Sequence, residues 1–397
     1  MALPFTHVVA RPDGFVVTAT QVFHASKQPV VDAARWAQAN TVSEPLFIGV
    51  QGAHPSGFSV CDDPKKASTI VAPKGAPLRP MIFVGVDPDA LIGSVTFWKK
   101  GGNPGPCEFR DLTMQASSLA KFCILTAQTN LFDRLDLVVR RVRFVASWPN
   151  TVLNAIKVAY RKSLGRFFSW VVGDGPPDLG ALSAVRTHGA VKSFEAEDCN
   201  ADGFGEHPFY CGNTIEYERV HGCTLTDCGR TGGQHVNREW EEKERINKTG
   251  CPSSPETCEV SYIDNWIIDC ASYFDPKAKG SWMANGGGLT SAGNPGRTVF
   301  ARNRIVQSHP GGGGITIYGD RPKIGSYLTH DGFAHGDVIV EDNEVRCMVG
   351  ASAAREAISI DDCRSLTWRA NKLTGSEKRI TVGPRIGKVV DLDGTLP

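Results

Sequence analysis

"TVFARNRIVQS", residues 298–308, and "DVIVEDNEVRC", residues 337–347, decide how this chain folds. Each carries an asparagine, Asn303 or Asn343, with a large apolar residue three positions before it (Phe300, Val340) and another two positions after it (Ile305, Val345). The frame recurs in "EVSYIDNWIIDC" with Tyr262, Asn265 and Ile267, and in "SLTWRANKLTG" with Trp368, Asn371 and Leu373. Successive asparagines lie 38, 40 and 28 residues apart. After two of them comes a second short strand, "GGITIYGD" (313–320) and "EAISIDDC" (356–363).

A unit of this kind cannot bury its apolar face alone, so the units stack. Stacked coils make a solenoid of parallel strands with rungs ~4.8 Å apart. Asparagine suits a fixed corner of such a coil, because it tolerates the left-handed turn conformation and its amide can bond the asparagine of the next coil. The pattern therefore predicts one column of Asn265, Asn303, Asn343 and Asn371. Looser coils are read at 107–117, 134–147, 191–199 and 213–228. A β-sandwich would need tight two-residue hairpin turns at regular spacing, and these are scarce.

With these residues in hand, the chain resembles the right-handed parallel β-helix proteins of the pectate-lyase-like superfamily, over roughly residues 45–390. The resemblance implies an all-β solenoid with an N-terminal capping helix. "QPVVDAARWAQAN" (28–40) fits that helix, with Val30, Ala33, Ala34 and Ala37 on one face. A cap is needed because the first coil otherwise exposes an apolar end and an unpaired strand edge. The expected organisation is an arm and cap over 1–44 and a β-helix over 45–397. Two stretches interrupt it: an inserted amphipathic helix or lobe at 150–171 and a charged excursion at 234–258.

Composition sets the outer limits. The 397 residues are 41% apolar and 21% charged, which favours a folded core over disorder. A net charge of +1 argues against bulk attraction to nucleic acid or membranes. No apolar run approaches the ~20 residues of a membrane span. The start, "MALPFTHVVARPDG", lacks the basic and then apolar stretch of a secretion signal. The expectation is synthesis in the cytoplasm, with a secreted mature chain as the alternative. Twelve cysteines show neither a CxxC pair nor zinc spacing. They read either as small buried hydrophobes or as disulfide staples, with Cys251 and Cys258 in "TGCPSSPETCE" the candidate pair.

Proteins of the resembled superfamily mostly handle polysaccharides, which directs the search for chemistry. Glycoside hydrolysis needs two carboxyls ~5 Å or ~6.5–9.5 Å apart. Lyase elimination needs a base and a neutraliser of the uronate charge. Asp320 closes one strand, and Asp361 and Asp362 close the equivalent strand a repeat later, so they form the candidate catalytic set. Arg321 and His330 are near enough in sequence to bind an anionic sugar. Aspartate at a strand end is also a common turn former. The Asn-Thr-Asp, Gly-His-Gly and Arg-Ile-Lys motifs of the polygalacturonase-like members are not found.

A second cluster is "EAEDCNADGFGEHPFYCGN" (195–213). Asp202, Glu206 and His207 stand there beside Phe204, Phe209 and Tyr210, a composition that suits sugar contact, a calcium loop or a plain solvated turn. No other cofactor or metal is implied. His221, His235, His309 and His335 read as surface or corner residues. The glycine runs at 285–288 and 309–314 read as tight corners. From 134 to 166, Arg134, Arg140, Arg141, Arg143, Lys157, Arg161, Lys162 and Arg166 are opposed along the chain only by Asp136. They predict a positive face, with Arg161, Lys162 and Arg166 as its docking residues for an acidic partner.

Two classes of function follow. One is a bacteriophage virion component, tailspike-like or capsid-decorating, made in the host cytoplasm. It would assemble with other virion proteins and recognise a host glycan. A homotrimer is compatible with it, although "RITVGPRIGKVVDLDGTLP" is short for a trimerising domain. The other class is a polysaccharide lyase or hydrolase working in a groove on the solenoid.

Overall fold

The asparagine frame closes into coils in a computed structural model. It describes residues 7–9, 22–23, 28–40, 44–72, 77–116, 121–127, 131–146, 182–187, 189–237, 255–270, 287–308, 313–319, 328–347, 356–375 and 379–396. In the coil of Asn303, Asn294–Ala301 lies in a first sheet, Arg304–Gln307 in a second and Gly313–Tyr318 in a third. The next coil repeats this with His335–Glu341, Glu344–Cys347 and Ile358–Ile360. Coil after coil, the strands pair in parallel into sheets of 13, 10 and 11 strands. The molecule is a right-handed parallel β-helix, as the repeat predicts.

The frame residues explain the register. Tyr262, Phe300, Val340 and Trp368 pair in one column of the first sheet, and all four are fully buried. Ile267, Ile305, Val345 and Leu373 form a second inward column on the second sheet. Each such side chain contributes roughly 1.5–3 kcal/mol of burial. A one-residue slip would turn every one of them outward.

The corner between these sheets holds the ladder. The Asn265, Asn303 and Asn343 side-chain amides donate to the Oδ1 of Asn303, Asn343 and Asn371 at 2.9, 3.0 and 2.9 Å. The predicted column is therefore present, but one reason given for it is not. The left-handed residue is the one before each asparagine: Asp264, Arg302, Asp342 and Ala370 have φ of 59°, 53°, 55° and 50°. Asparagine is needed there for its amide. Each Oδ1 also accepts a backbone N–H of the preceding coil, as Asn303 does from Asn265 at 3.1 Å. Each Nδ2 donates to a carbonyl of that coil, as Asn303 does to Tyr262 at 2.8 Å.

The capping helix runs Pro29–Asn40, with Val30, Val31, Ala33, Ala34 and Ala37 buried. Proline at its first position costs no hydrogen bond. Arg79 Nη2 binds the Ala37 and Gln38 carbonyls at 2.6 and 2.8 Å, satisfying the helix end. The arm before the helix is more than an arm. His7–Val9 and Val22–Phe23 add two strands to the first sheet.

One inward column is interrupted by charge chemistry. Glu218 lies between Phe194 and Val260 in register, inside the solenoid and 0% exposed. It accepts the Tyr262 hydroxyl at 2.5 Å and meets His235 Nδ1 at 2.7 Å. Burial and the Glu218 carboxyl push the Tyr262 phenol well above its ordinary range. His235 and His335 are thus fully buried, a correction to their reading as surface or corner residues. His309 lies outside the described residues. Replacing Tyr262 with phenylalanine keeps the packing and removes the donor, so thermal unfolding should report a loss of about 1–3 kcal/mol.

The described glycines of the two runs also differ from their reading as corners. Gly288 and Gly314 lie inside third-sheet strands. A Cβ at Gly288 would meet Ile305 Cγ2 at 2.6 Å, and one at Gly314 would meet Val345 Cγ1 at 2.4 Å. Glycine is required because the inward second-sheet column presses on that backbone. The eleven described cysteines are all buried, and no two of their sulfurs are bonded. Cys258 belongs to this buried set, and Cys251 lies outside the described residues. Third-sheet strand Thr231–Val236 takes in residues 234–236, so the excursion starts later than predicted. Residues 238–254 and the lobe at 150–171 lie outside the described residues.

Candidate functional site

The outer face of the second sheet carries the candidate surface. Arg143, Asn200, Thr224, Trp266 and Arg304 pair in register on successive coils. Their side chains point outward because the next residue in each strand points in. Trp266 is 46% exposed, and the Arg304 guanidinium lies 5.5 Å from its ring centroid. A large aromatic half in solvent beneath a cation is not core filler. Beside it runs a second outward column of Asp202, Thr226, Ile268 and Val306, in which the Thr226 hydroxyl donates to Asp202. At the N-terminal end the face deepens into a groove of about 620 Å³ lined by Gly52, Asp89, Thr113, Gln115 and Arg143 among others. That volume falls in the range of ligand clefts.

Sequence reasoning missed Trp266, although the frame contained the signal. The residue after each ladder asparagine is Trp266, Arg304, Glu344 or Lys372. Three of the four are charged, as an outward position requires, and the tryptophan is the outlier.

The cluster read at 195–213 is a coil rather than one loop. Its residues fall on Ala190–Glu197, Asn200–Asp202 and Phe209–Gly212, one strand in each sheet. Asp202 is therefore on the second sheet, apart from Glu206, His207 and Tyr210. Glu206 and Tyr210 meet at Arg186, whose guanidinium lies 4.5 Å from the Tyr210 ring and bonds Glu206 at 2.7 Å, and the His207 ring lies 5.3 Å from that of Tyr210. His207 is 0% exposed, with Nδ1 on the Thr231 hydroxyl. Tyr210 is buried as well. Of the predicted sugar contacts, Asp202 lies exposed on the outer face of the second sheet. Among the described residues no group of three acidic, histidine or cysteine side chains is placed to hold a metal ion.

Of the aspartates read as catalytic, Asp361 and Asp362 both accept backbone N–H groups. Asp362 is buried, with φ of 58°. Its Oδ1 accepts the Ala334 N–H and Arg385 Nε, both at 3.2 Å. Asp361 Oδ1 accepts the Asp362 N–H at 2.8 Å. Arg385 in turn binds the Gly332 carbonyl at 2.7 Å, so the pair ties the 332–334 segment to the next coil. Asp320 and Arg321 lie outside the described residues. His330 sits in an exposed ion cluster: Glu256 accepts its backbone N–H at 2.6 Å and faces its Nδ1 at 3.2 Å. Those two bonds hold the Glu256 carboxyl below its usual range.

The positive face is less positive than the sequence suggests. Arg140 bonds Glu195 at 2.6 Å and Glu197 at 3.0 Å, and Arg141 bonds Asp111 at 2.7 Å. These acids come from neighbouring coils, so counting charges along the chain overlooked them. Arg161, Lys162 and Arg166 lie outside the described residues.

Fold and face together define a parallel β-helix that carries a solvent-facing aromatic and polar strip. No protein-family model, curated protein or solved structure matches the chain.

Proposed function

We propose that this chain is a surface β-helix that recognises an extended polysaccharide along the outer face of its second sheet. The observation that carries the reading is Trp266, half-exposed on the outer face with the Arg304 guanidinium 5.5 Å from its ring centroid. Sugar rings present apolar CH faces to aromatic rings and hydroxyls to amides, carboxylates and guanidinium groups. Asn200, Thr224 and Asp202 supply such partners at the rung repeat of ~4.8 Å, a spacing close to one sugar unit. An extended chain lying along the solenoid axis would meet one polar position per residue.

The resemblance to the pectate-lyase-like superfamily and its bacteriophage members supports placing the protein on a virion. There it would be a decoration or tailspike-like component, with other virion proteins as partners and a homotrimer as an assembly compatible with the reading. Polysaccharide cleavage is the competing reading. The backbone bonds of Asp361 and Asp362 give it little support.

Titration against a panel of neutral and anionic polysaccharides tests both. Binding by the wild type with a roughly 5- to 150-fold loss in Trp266→Ala is expected, if a sugar ring stacks as a base does on an aromatic, at roughly 1–3 kcal/mol. Unfolding midpoints of the two proteins should agree closely, because the ring is half in solvent. Equal binding by the variant would remove the face from consideration. Release of new chain ends would make the protein an enzyme.

A further inference from the structure

The ladder corner does not stay asparagine along the whole solenoid. Cys199 and Cys223 directly precede the paired strands Asn200–Asp202 and Thr224–Thr226, in which Asn200 faces Thr224. The Cys223 N–H donates to Asn265 Oδ1 at 2.9 Å, which makes Cys223 the next rung of the ladder. Its thiol donates to the Ala196 carbonyl at 3.7 Å, and the Cys199 thiol to Val139 at 3.4 Å. These are the carbonyl positions that the asparagine amides use, as Asn265 does at Val220. A second pair follows the other end of the same sheet. Cys228 and Cys270 each lie two residues beyond Thr226 and Ile268, which face each other in register.

Within each pair the neighbouring thiol adds to the upward push that burial gives Cys223 and Cys228. Aligned positions on adjacent coils are ~4.8 Å apart, inside the ~4.4–6.8 Å separation that a disulfide spans. All four side chains are at most 1% exposed. An asparagine would serve the ladder with stronger hydrogen bonds, so the hydrogen bonding alone does not account for sulfur at these rungs.

We propose that Cys199–Cys223 and Cys228–Cys270 are sites of inter-coil disulfide formation, closed only when the chain folds under oxidising conditions. Each pair would lose two protons and two electrons to form one S–S bond. The acceptor is a small-molecule disulfide, which is reduced to two thiols through a mixed-disulfide intermediate. Exchange requires an accessible thiolate. Burial raises the Cys223 and Cys228 thiols well above their ordinary range. The bridges therefore form as the coils close and not afterwards. Together they tie three consecutive coils. The second also spans, in sequence, the segment 238–254.

The test refolds the full chain from denaturant with an oxidised small-molecule disulfide or with reductant, then alkylates it under denaturing conditions and maps the peptides. Oxidative refolding should protect these four cysteines, in these two pairs, with a mass lower by two hydrogens per bridge. Native reduced protein given the same oxidant should keep all four alkylatable. The oxidised protein should show a higher denaturation midpoint than the reduced one. Cys199→Ser should lose its own bridge and keep the other, and Cys228→Ser the reverse. Four free thiols after oxidative refolding, or scrambled partners, would overturn the proposal. So would rapid oxidation of the native protein, which would show that closure does not depend on folding. Should refolding yield be low, the same mapping on chain expressed in an oxidising and in a reducing compartment gives the same decision.

Discussion

Replacing Asn303 with leucine should destabilise the protein by about 3–5 kcal/mol in urea denaturation, in the range of the largest single-site losses. Leucine matches asparagine in side-chain heavy atoms but is bulkier, so no cavity forms and some overpacking adds to the loss. The loss is in the ladder. Asn303 Oδ1 accepts the backbone N–H and the side-chain amide of Asn265 at 3.1 and 2.9 Å. Its Nδ2 donates to the Tyr262 carbonyl at 2.8 Å and to Asn343 Oδ1 at 3.0 Å. The site is 1% exposed, so water cannot replace these bonds. Each orphaned buried group costs roughly 1–3 kcal/mol. Asn303→Asp should be worse, since the carboxylate keeps the acceptor role, loses the donor and buries a charge facing two oxygens. Asn371→Leu should cost clearly less, because that rung is half-buried at the end of the column, where water can reach the groups it leaves, and it donates to no further asparagine. In a solenoid each coil is stabilised mainly by its neighbours, so hydrogen exchange in Asn303→Leu should speed first in strands Glu259–Ile263 and Arg304–Gln307. Equal losses at 303 and 371 would mean that the amides do not act as a ladder.

The ladder shows what a sequence can disclose about such a fold. Four asparagines with fixed apolar neighbours gave the register of two sheets, because stacking selects the same residue at the same rung. The third sheet and the arm had no such marker. Strands as short as Val22–Phe23 or Leu91–Ile92 carry no period to detect. His235 hid its own strand, and Glu218 hid its inward position within a coil that was otherwise legible, since a buried polar pair breaks the apolar pattern that announces an inward face. Charge was misjudged for a related reason. Arg140 is balanced by Glu195, 55 residues on, and only the coil geometry brings the two together.

The site was legible in a different measure. Asp361 and Asp362 drew notice as adjacent carboxylates at a strand end, but a left-handed corner with an N–H to satisfy wants the same residue. Residue type alone does not separate the two uses. Trp266 could have been found, because its place in the frame is fixed and its partners there are charged. Periodic chains make that kind of inference available: once a column is known to face outward, the residue that does not suit water marks the surface that meets something else.

Acidification from pH 6.5 to about 4 should remove roughly 3 kcal/mol of stability through His335 alone. The imidazole is 0% exposed, and its pKa is lowered to about 4. Burial is the main cause, opposed by the Tyr318 carbonyl and the Asp362 carboxyl and reinforced by His235. Its Nε2 accepts the Gly293 N–H at 3.1 Å or, in the other tautomer, donates to the Tyr318 carbonyl at 3.2 Å. The sign follows from proton binding. In the unfolded chain this histidine takes its proton near 6.5, and in the folded protein near 4. Between those values the unfolded state binds more protons, so stability falls as the pH falls. Above 6.5 His335 contributes no slope, and below about 4 its contribution levels off. Asp264 and Asp337, held low chiefly by hydrogen bonds from Arg302 and Ser365, add their losses only as they protonate, at lower pH. Urea denaturation at intervals from pH 8 to pH 3.5 separates the two windows. His335→Gln keeps a neutral polar group in the site and cannot titrate, so its stability should stay nearly flat where the wild type declines. If the variant retains the wild-type slope between 6.5 and 4, the proton is taken up elsewhere, and His335 is a packing residue whose burial has no consequence for acid stability.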